Sequence, residues 1–347
     1  MYNNKIGIDR CKFVLDTLII DREVYKMNLE LGEKAEIIDK LSGEVIGISD
    51  INLTIKGIAT DHVDDYRIKL SLMKKPTVAF ILDVNVPKLL YNGNERNANN
   101  LEHLTELNAI IEKKLGEVGI YTEMSKARIS SIEINVNNSN PKLYDSMKLI
   151  KKGLMEQNDK VFVVENKKGI EGLMFRNSYL KLKVYDKVKQ LSDTKQLTDN
   201  KSLTRIEVST NHKNVLNKLT KYNPTIEGII ENWSTLEQWF IDIIDNQVKK
   251  PCDAFYELVV DEMVEQLKRG NRTYDILALQ CEKGNIVDLE LFDIAIKRYY
   301  KEVGKKSPTT LIKNTKKRYE KLNKNQYDAL VGNKVALDDL WMQLGLK

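Results

Sequence analysis

The sequence predicts an α+β protein, with an antiparallel, sheet-based N-terminal domain followed by an all-α C-terminal domain. Up to about Thr210, short stretches recur in which apolar and polar residues alternate, the pattern of strands covered on one face. Beyond about Asn211 that alternation gives way to apolar residues spaced three and four apart. The expected division is 1–215 for the sheet domain, 216–250 for an amphipathic connecting helix and 251–347 for a helical, basic domain.

Strands are expected at 45–55, 66–73, 78–86, 128–136, 160–165, 180–185 and 204–209. A helix is expected at 101–118, where Leu101, Leu104, Leu107, Ile111 and Leu115 form one stripe and Gly116 and Gly119 close it. Another is expected near 144–157. Residues 92–100 and 192–202 are rich in Asn, Asp, Ser and Lys and read as exposed connections. Residues 226–248 carry Ile229, Ile230, Trp233, Leu236, Phe240, Ile243 and Ile244 at helical spacing, as one long amphipathic helix or two short ones bridging the domains. Packing within the chain and a homodimer contact account equally well for Trp233 and Trp239. Pro251 marks a break. Beyond it, 274–282, a turn at Lys283-Gly284-Asn285, and 288–300 have the shape of a helix-turn-helix.

The chain has 347 residues, 42% hydrophobic and 30% charged, which excludes collagen-like and low-complexity classes and allows two or three domains. No window approaches the roughly 20 apolar residues that cross a bilayer, so no membrane association is expected. The first nine residues carry Asn, Lys and Asp where a secretory signal would have a basic start and an apolar stretch, and a cytoplasmic location is expected. Cys11, Cys252 and Cys281 are widely spaced and suit reduced, buried thiols better than a disulfide framework or a zinc site. His62, His103 and His212 are scattered singly and read as surface or structural residues.

Charge is concentrated. Between Lys297 and Lys324 stand eleven Lys or Arg and two acids, a net of +9 in a chain of +5, leaving about −4 for the remainder. A localised basic stripe points to a polyanion, here DNA. Lys297, Arg298, Lys305, Lys306, Lys313, Lys316, Lys317 and Arg318 are the expected phosphate contacts, and base readout is expected near the start of the second helix of the 274–300 unit. Tyr299, Tyr300 and Tyr319 interleave with these cations as stacking groups or as core anchors.

Period-2 alternation sorts three strands into faces. In 131–137, Ile132, Ile134 and Val136 point one way and Glu133, Asn135 and Asn137 the other. In 204–209, Ile206 and Val208 oppose Arg205, Glu207 and Ser209. In 179–187, Leu180, Leu182 and Val184 oppose Tyr179, Lys181, Lys183, Tyr185 and Lys187. If the three strands are neighbours, Glu133 and Glu207 meet lysines and tyrosines on one face. Two carboxylates there can hold a hard divalent cation, Mg²⁺ or Mn²⁺. A nearby tyrosine hydroxyl, Tyr185 or Tyr179, can attack phosphorus while Lys187 and its neighbours neutralise charge, with Lys181, Lys183 and Arg205 along the DNA path.

At these residues the sequence resembles the rolling-circle replication initiators of filamentous phages, mobile elements and Gram-positive plasmids. The resembling stretches are Asn85-Val86-Pro87-Lys88-Leu89-Leu90-Tyr91-Asn92-Gly93-Asn94, Ile129-Ser130-Ser131-Ile132-Glu133-Ile134-Asn135-Val136-Asn137, Leu182-Lys183-Val184-Tyr185-Asp186-Lys187 and Leu203-Thr204-Arg205-Ile206-Glu207-Val208. Their order matches over roughly residues 80–210. The resemblance implies a sheet-based nuclease domain that nicks one DNA strand with a tyrosine and a divalent metal, leaving a free 3′-OH as primer. Glu133 stands where the family usually has Asp, Ser131 where it has Arg, and Gln190 near where an acid follows. Without a His-hydrophobic-His triplet, a metal site rests on Glu133 and Glu207. The expected activity is therefore replication initiation with strand nicking. The expected partners are duplex and single-stranded origin DNA and a host helicase or polymerase. The alternative is a non-catalytic origin-binding protein that recruits replication machinery.

Overall fold

A computed structural model of the chain describes residues 6–15, 19–20, 30–31, 35–38, 45–49, 53–54, 69–72, 80–91, 98–117, 120–141, 143, 161–166, 169–193, 202–283, 289–306 and 308–346. Eight strands form one sheet: β1 (Gly7–Leu15), β2 (Lys69–Leu72), β3 (Phe80–Asn85), β4 (Arg128–Asn138), β5 (Val161–Asn166), β6 (Gly169–Arg176), β7 (Lys181–Asp186) and β8 (Thr204–Thr210). Their spatial order is β5-β6-β7-β8-β4-β1-β3-β2, and every neighbouring pair is antiparallel. The helix expected near 144–157, and most of the loops expected at 92–100 and 192–202, lie outside the described residues.

Alternation decides what this sheet buries. Ile8, Cys11 and Phe13 of β1, Leu82 and Val84 of β3, Ile132, Ile134 and Val136 of β4, Leu182 and Val184 of β7, and Ile206 and Val208 of β8 enter one apolar core. Helices complete that core: Leu107, Ile111 and Leu115 of α3 (Leu107–Gly116), Leu216 and Leu219 of α5 (Lys213–Leu219), Ile229 of α6 (Ile226–Glu231), and Leu236 and Phe240 of α7 (Trp233–Ile244). The helix expected at 101–118 is two, α2 (Leu101–Thr105) and α3, with Glu106 between them. Strand β6 was not expected, because Gly169 and Gly172 weaken its strand pattern. Gly172 has a packing reason: a Cβ there would lie 2.5 Å from the Val184 carbonyl and 3.0 Å from the Tyr185 Cβ.

Four short helices connect these parts to the functional face or to the second core: α1 (Val86–Tyr91) after β3, α4 (Lys187–Asp193) after β7, and α9 (Thr273–Glu282) and α10 (Glu290–Glu302) in the C-terminal half. Pro251 does not break the helix as expected. A wider π turn at Asp245–Lys249 joins α7 to α8 (Lys250–Lys268) immediately before the proline, and the helical path runs on through it. Cys252 closes the sheet core and Phe255, three residues on, opens a second core of α8, α9, α10 and α11 (Thr309–Leu322). The last helix, α12 (Lys324–Gln343), touches both: Leu330 packs in the second core, Ala336, Leu337 and Leu340 in the first. Gln343 then donates to the Asn137 carbonyl at 3.0 Å and accepts from Asn138 at 2.6 Å, fastening the chain end to β4. Trp233, weighed as a dimer contact, is part of the sheet core.

Candidate active site

On the face opposite the apolar core, the register brings Lys183 of β7 beside Glu207 of β8, and Glu207 beside Asn135 of β4. Glu133 lies one diagonal away. The Lys183 ammonium bridges the two carboxylates, 3.0 Å from Glu207 and 3.3 Å from Glu133. The Tyr185 hydroxyl donates a short hydrogen bond to Glu207. The grouping that alternation predicts is therefore formed, with Glu133, Glu207, Lys183 and Tyr185 all in it.

Asp9 completes the site and was not foreseen. In β1, Ile8 pairs with Ile134 but Arg10 pairs with Glu133, so Asp9 is the extra residue of a β-bulge. The bulge turns Asp9 onto the polar face, where its carboxylate accepts from Arg205 at 2.7 Å and from Asn135 at 3.0 Å. Arg205 also donates to Asn137 Oδ1 at 2.8 Å. The one signal in the sequence was the apolar, polar, polar, apolar run Ile8-Asp9-Arg10-Cys11, which breaks strict alternation.

One ligand oxygen from each of Asp9, Glu133 and Glu207 lies within 4.8 Å of the others. Asn135 is wholly buried and its Oδ1 has no partner among the described residues. Three carboxylates and an orphaned amide oxygen are hard donors of the kind Mg²⁺ and Mn²⁺ take, so the residues present fit such an ion.

Titration follows from burial and mutual charge. The Glu133 carboxyl is pushed up to about 7, by burial first and then by the Glu207 charge, with Lys183 working against both. Burial also raises Asp9, Arg205 opposing and Glu207 reinforcing. Burial acts on Glu207 in the same direction, but the Lys183 charge, the Tyr185 hydrogen bond and Arg205 outweigh it and hold this carboxylate below its usual range. The Tyr185 phenol is held protonated, its pKa raised by burial and by the Glu207 charge. Lys187, 1% exposed at the start of α4, is lowered to about 8 by burial and by Arg205, and it donates to Gln190 at 2.8 Å.

Two expectations for this face need correction. Tyr179 precedes β7, is 54% exposed and packs edge-on against His212 with ring centroids 4.7 Å apart. Asn177 holds it there, its side chain accepting from the Tyr179 and Leu180 backbone N–H groups, so the strand starts only at Lys181. Tyr179 therefore lies off the end of β7, outside the group that Glu133, Glu207, Lys183 and Tyr185 form. Arg205, expected along the DNA path, has no exposed surface and cannot touch a phosphate as placed.

The basic stripe also divides. Arg298 is held by Glu257 and Asp261, both at 2.8 Å, and Lys316 by Asp293 at 2.5 Å. Lys297, Lys305, Lys306, Lys313, Lys317 and Arg318 are exposed, Arg318 over the Tyr274 ring at 4.5 Å. Tyr319 is a core residue. The expected recognition helix, α10, opens with the acids Glu290 and Asp293.

No protein-family model matches the chain, and no curated protein does. Among solved structures there is a distant likeness. The rolling circle replication initiator protein from Geobacillus stearothermophilus matches over 70% of this chain and 84% of its own, at 12% identity and a TM-score of 0.36. No helix among the described residues is long and apolar enough to cross a membrane.

Proposed function

We propose that this chain is a replication initiator that nicks one DNA strand by tyrosine attack at the Asp9–Glu133–Glu207 centre. The observation that carries the reading is the Tyr185 hydroxyl bonded to a carboxylate of a buried three-acid cluster on one sheet face. A phenol donating to a carboxylate that stays ionised has its proton acceptor in place.

Tyr185 Oη attacks phosphorus and its proton passes to Glu207. The bond from phosphorus to O3′ breaks, the 3′ oxygen leaves as a hydroxyl with a proton from water, and the 5′-phosphate stays joined to Tyr185. A divalent cation bound by Asp9, Glu133, Glu207 and Asn135 would polarise the scissile phosphate and offset the carboxylate charge. Lys183, bridging Glu133 and Glu207, offsets charge beside the phosphoryl oxygens, whereas Lys187, expected to share that role, is buried against Gln190 and, like Arg205, does not reach a phosphate as placed. Arg205 and Asn135 hold Asp9 in position. The motif residues around them have local duties: Asp186 accepts from the Lys189 N–H at 3.0 Å and Asn85 from the Lys88 N–H at 3.0 Å, starting the helices that follow β7 and β3.

The test is incubation of the purified chain with single-stranded oligonucleotides tiling its origin, with Mn²⁺ or with EDTA, followed by denaturing electrophoresis. A metal-dependent protein–DNA adduct is expected. Duplex binding with no adduct on any tile overturns the nicking reaction and leaves the binding-only initiator, in which the Tyr185–Glu207 bond is structural.

A further inference from the structure

The helical module contains two candidate faces for DNA, and their ion pairs differ. On α10, both acids of the first turn and Arg298 are engaged, while Lys297 and Lys301 stand exposed further along. Glu290 is paired with Lys334, Asp293 with Lys316 at 2.5 Å, Arg298 with Glu257 and Asp261, and Glu302 with Lys268 at 2.9 Å. The first turn of this helix thus presents acids already paired with lysines and no cation for a phosphate where a recognition helix should approach DNA. Helix α11 is the reverse. It has no acid in its first turn, and Ile312, Thr315 and Tyr319 pack inward.

Lys313, Lys317 and Lys321 recur every fourth residue on its opposite face, exposed and with no ion-pair partner among the described residues. At 1.5 Å per residue they span about 12 Å, which at about 3.4 Å of axis per phosphate matches roughly three phosphates of one strand. Lys305 and Lys306, exposed in the turn before the helix, extend the same charge.

We propose that the outward face of α11, with Lys313, Lys317 and Lys321 as its phosphate contacts, is the surface that docks duplex DNA, and that α10 is the scaffold behind it. This rests on the DNA reading above and narrows the expected phosphate contacts from the whole Lys297–Lys324 stripe to one face of one helix. A cation already neutralised, as Arg298 is on α10, releases no counterion from DNA, whereas three unpaired lysines aligned on one face of α11, with no acid in its first turn, do, and that release supplies salt-dependent affinity.

The test measures fluorescence anisotropy of a labelled short random-sequence duplex with the full chain over a range of KCl, since phosphate contacts carry no sequence information. Lys313→Ala/Lys317→Ala/Lys321→Ala is expected to weaken binding at least about tenfold and to make the log–log salt slope about three units shallower. Lys297→Ala/Lys301→Ala on α10 is expected to weaken it threefold at most, on the same principle of few phosphates lost. Should circular dichroism show the triple alanine variant misfolded, the triple glutamine variant is measured in its place. An α10 loss equal to or larger than the α11 loss overturns the assignment, as does tight binding of poly-glutamate with none of the duplex. Adduct formation on single-stranded tiles is scored in parallel. An adduct without duplex binding sinks only the docking surface, and α11-dependent duplex binding without an adduct sinks only the nicking reaction.

Discussion

The Arg205 guanidinium donates to Asp9 Oδ1 at 2.7 Å, and neither side chain is more than 6% exposed. Each charge has left water, and each is tolerable only because the other is there. Arg205→Met strands a buried carboxylate and is expected to destabilise the chain by about 3–5 kcal/mol. The urea midpoint measures it, and Arg205→Met/Asp9→Leu should recover most of the loss. A single variant as stable as wild type would mean that Asp9 reaches water.

Tyr185 and Tyr179 separate cleanly in the structure, one bonded to Glu207 and the other exposed against His212. Tyr185→Phe is expected to abolish the covalent adduct while keeping the fold. Tyr179→Phe is expected to keep the adduct. Loss of adduct in the second variant alone would reverse the assignment.

Asp9 joins the proposed metal site through the bulge in β1. Losing even an outer partner of a metal ligand costs about 10–100-fold in affinity. Asp9→Asn should therefore weaken Mn²⁺ binding by at least about tenfold in calorimetry, on the same scale. Glu207→Gln is expected to do the same. Unchanged binding in Asp9→Asn would confine the site to the two glutamates.

Glu133 makes the metal-free protein's stability fall with pH. Its folded pKa of about 7 lies above the ordinary 4.5, so between those values the folded chain binds the extra proton. Stability attached to this group is present below about pH 4.5 and is lost as pH rises towards 7. One unit corresponds to about 1.4 kcal/mol, so the change across that window is on the order of 2–3 kcal/mol. In EDTA, Glu133→Gln should raise the Tm at pH 8 and leave it nearly unchanged at pH 4.5. A lower Tm at pH 8 would show that the Lys183 bridge outweighs burial.

Much of this protein follows from the order of its residues alone. Alternation in β4, β7 and β8 assigns Glu133, Glu207, Lys183 and Tyr185 to one face, because in a regular strand side chains can point only two ways. The change from period two to helical spacing near Asn211 likewise marks where the sheet ends and helices take over. What the sequence leaves open is whatever departs from regular periods or depends on distant partners. Asp9 joins the site through one inserted residue, and Tyr179 leaves it because Asn177 turns the chain before the strand starts. Arg205 is a buried strut, and Arg298 and Lys316 are neutralised, because of acids far away in the chain. A period states the direction of a side chain; its burial and its charge partner exist only once the chain has closed around it.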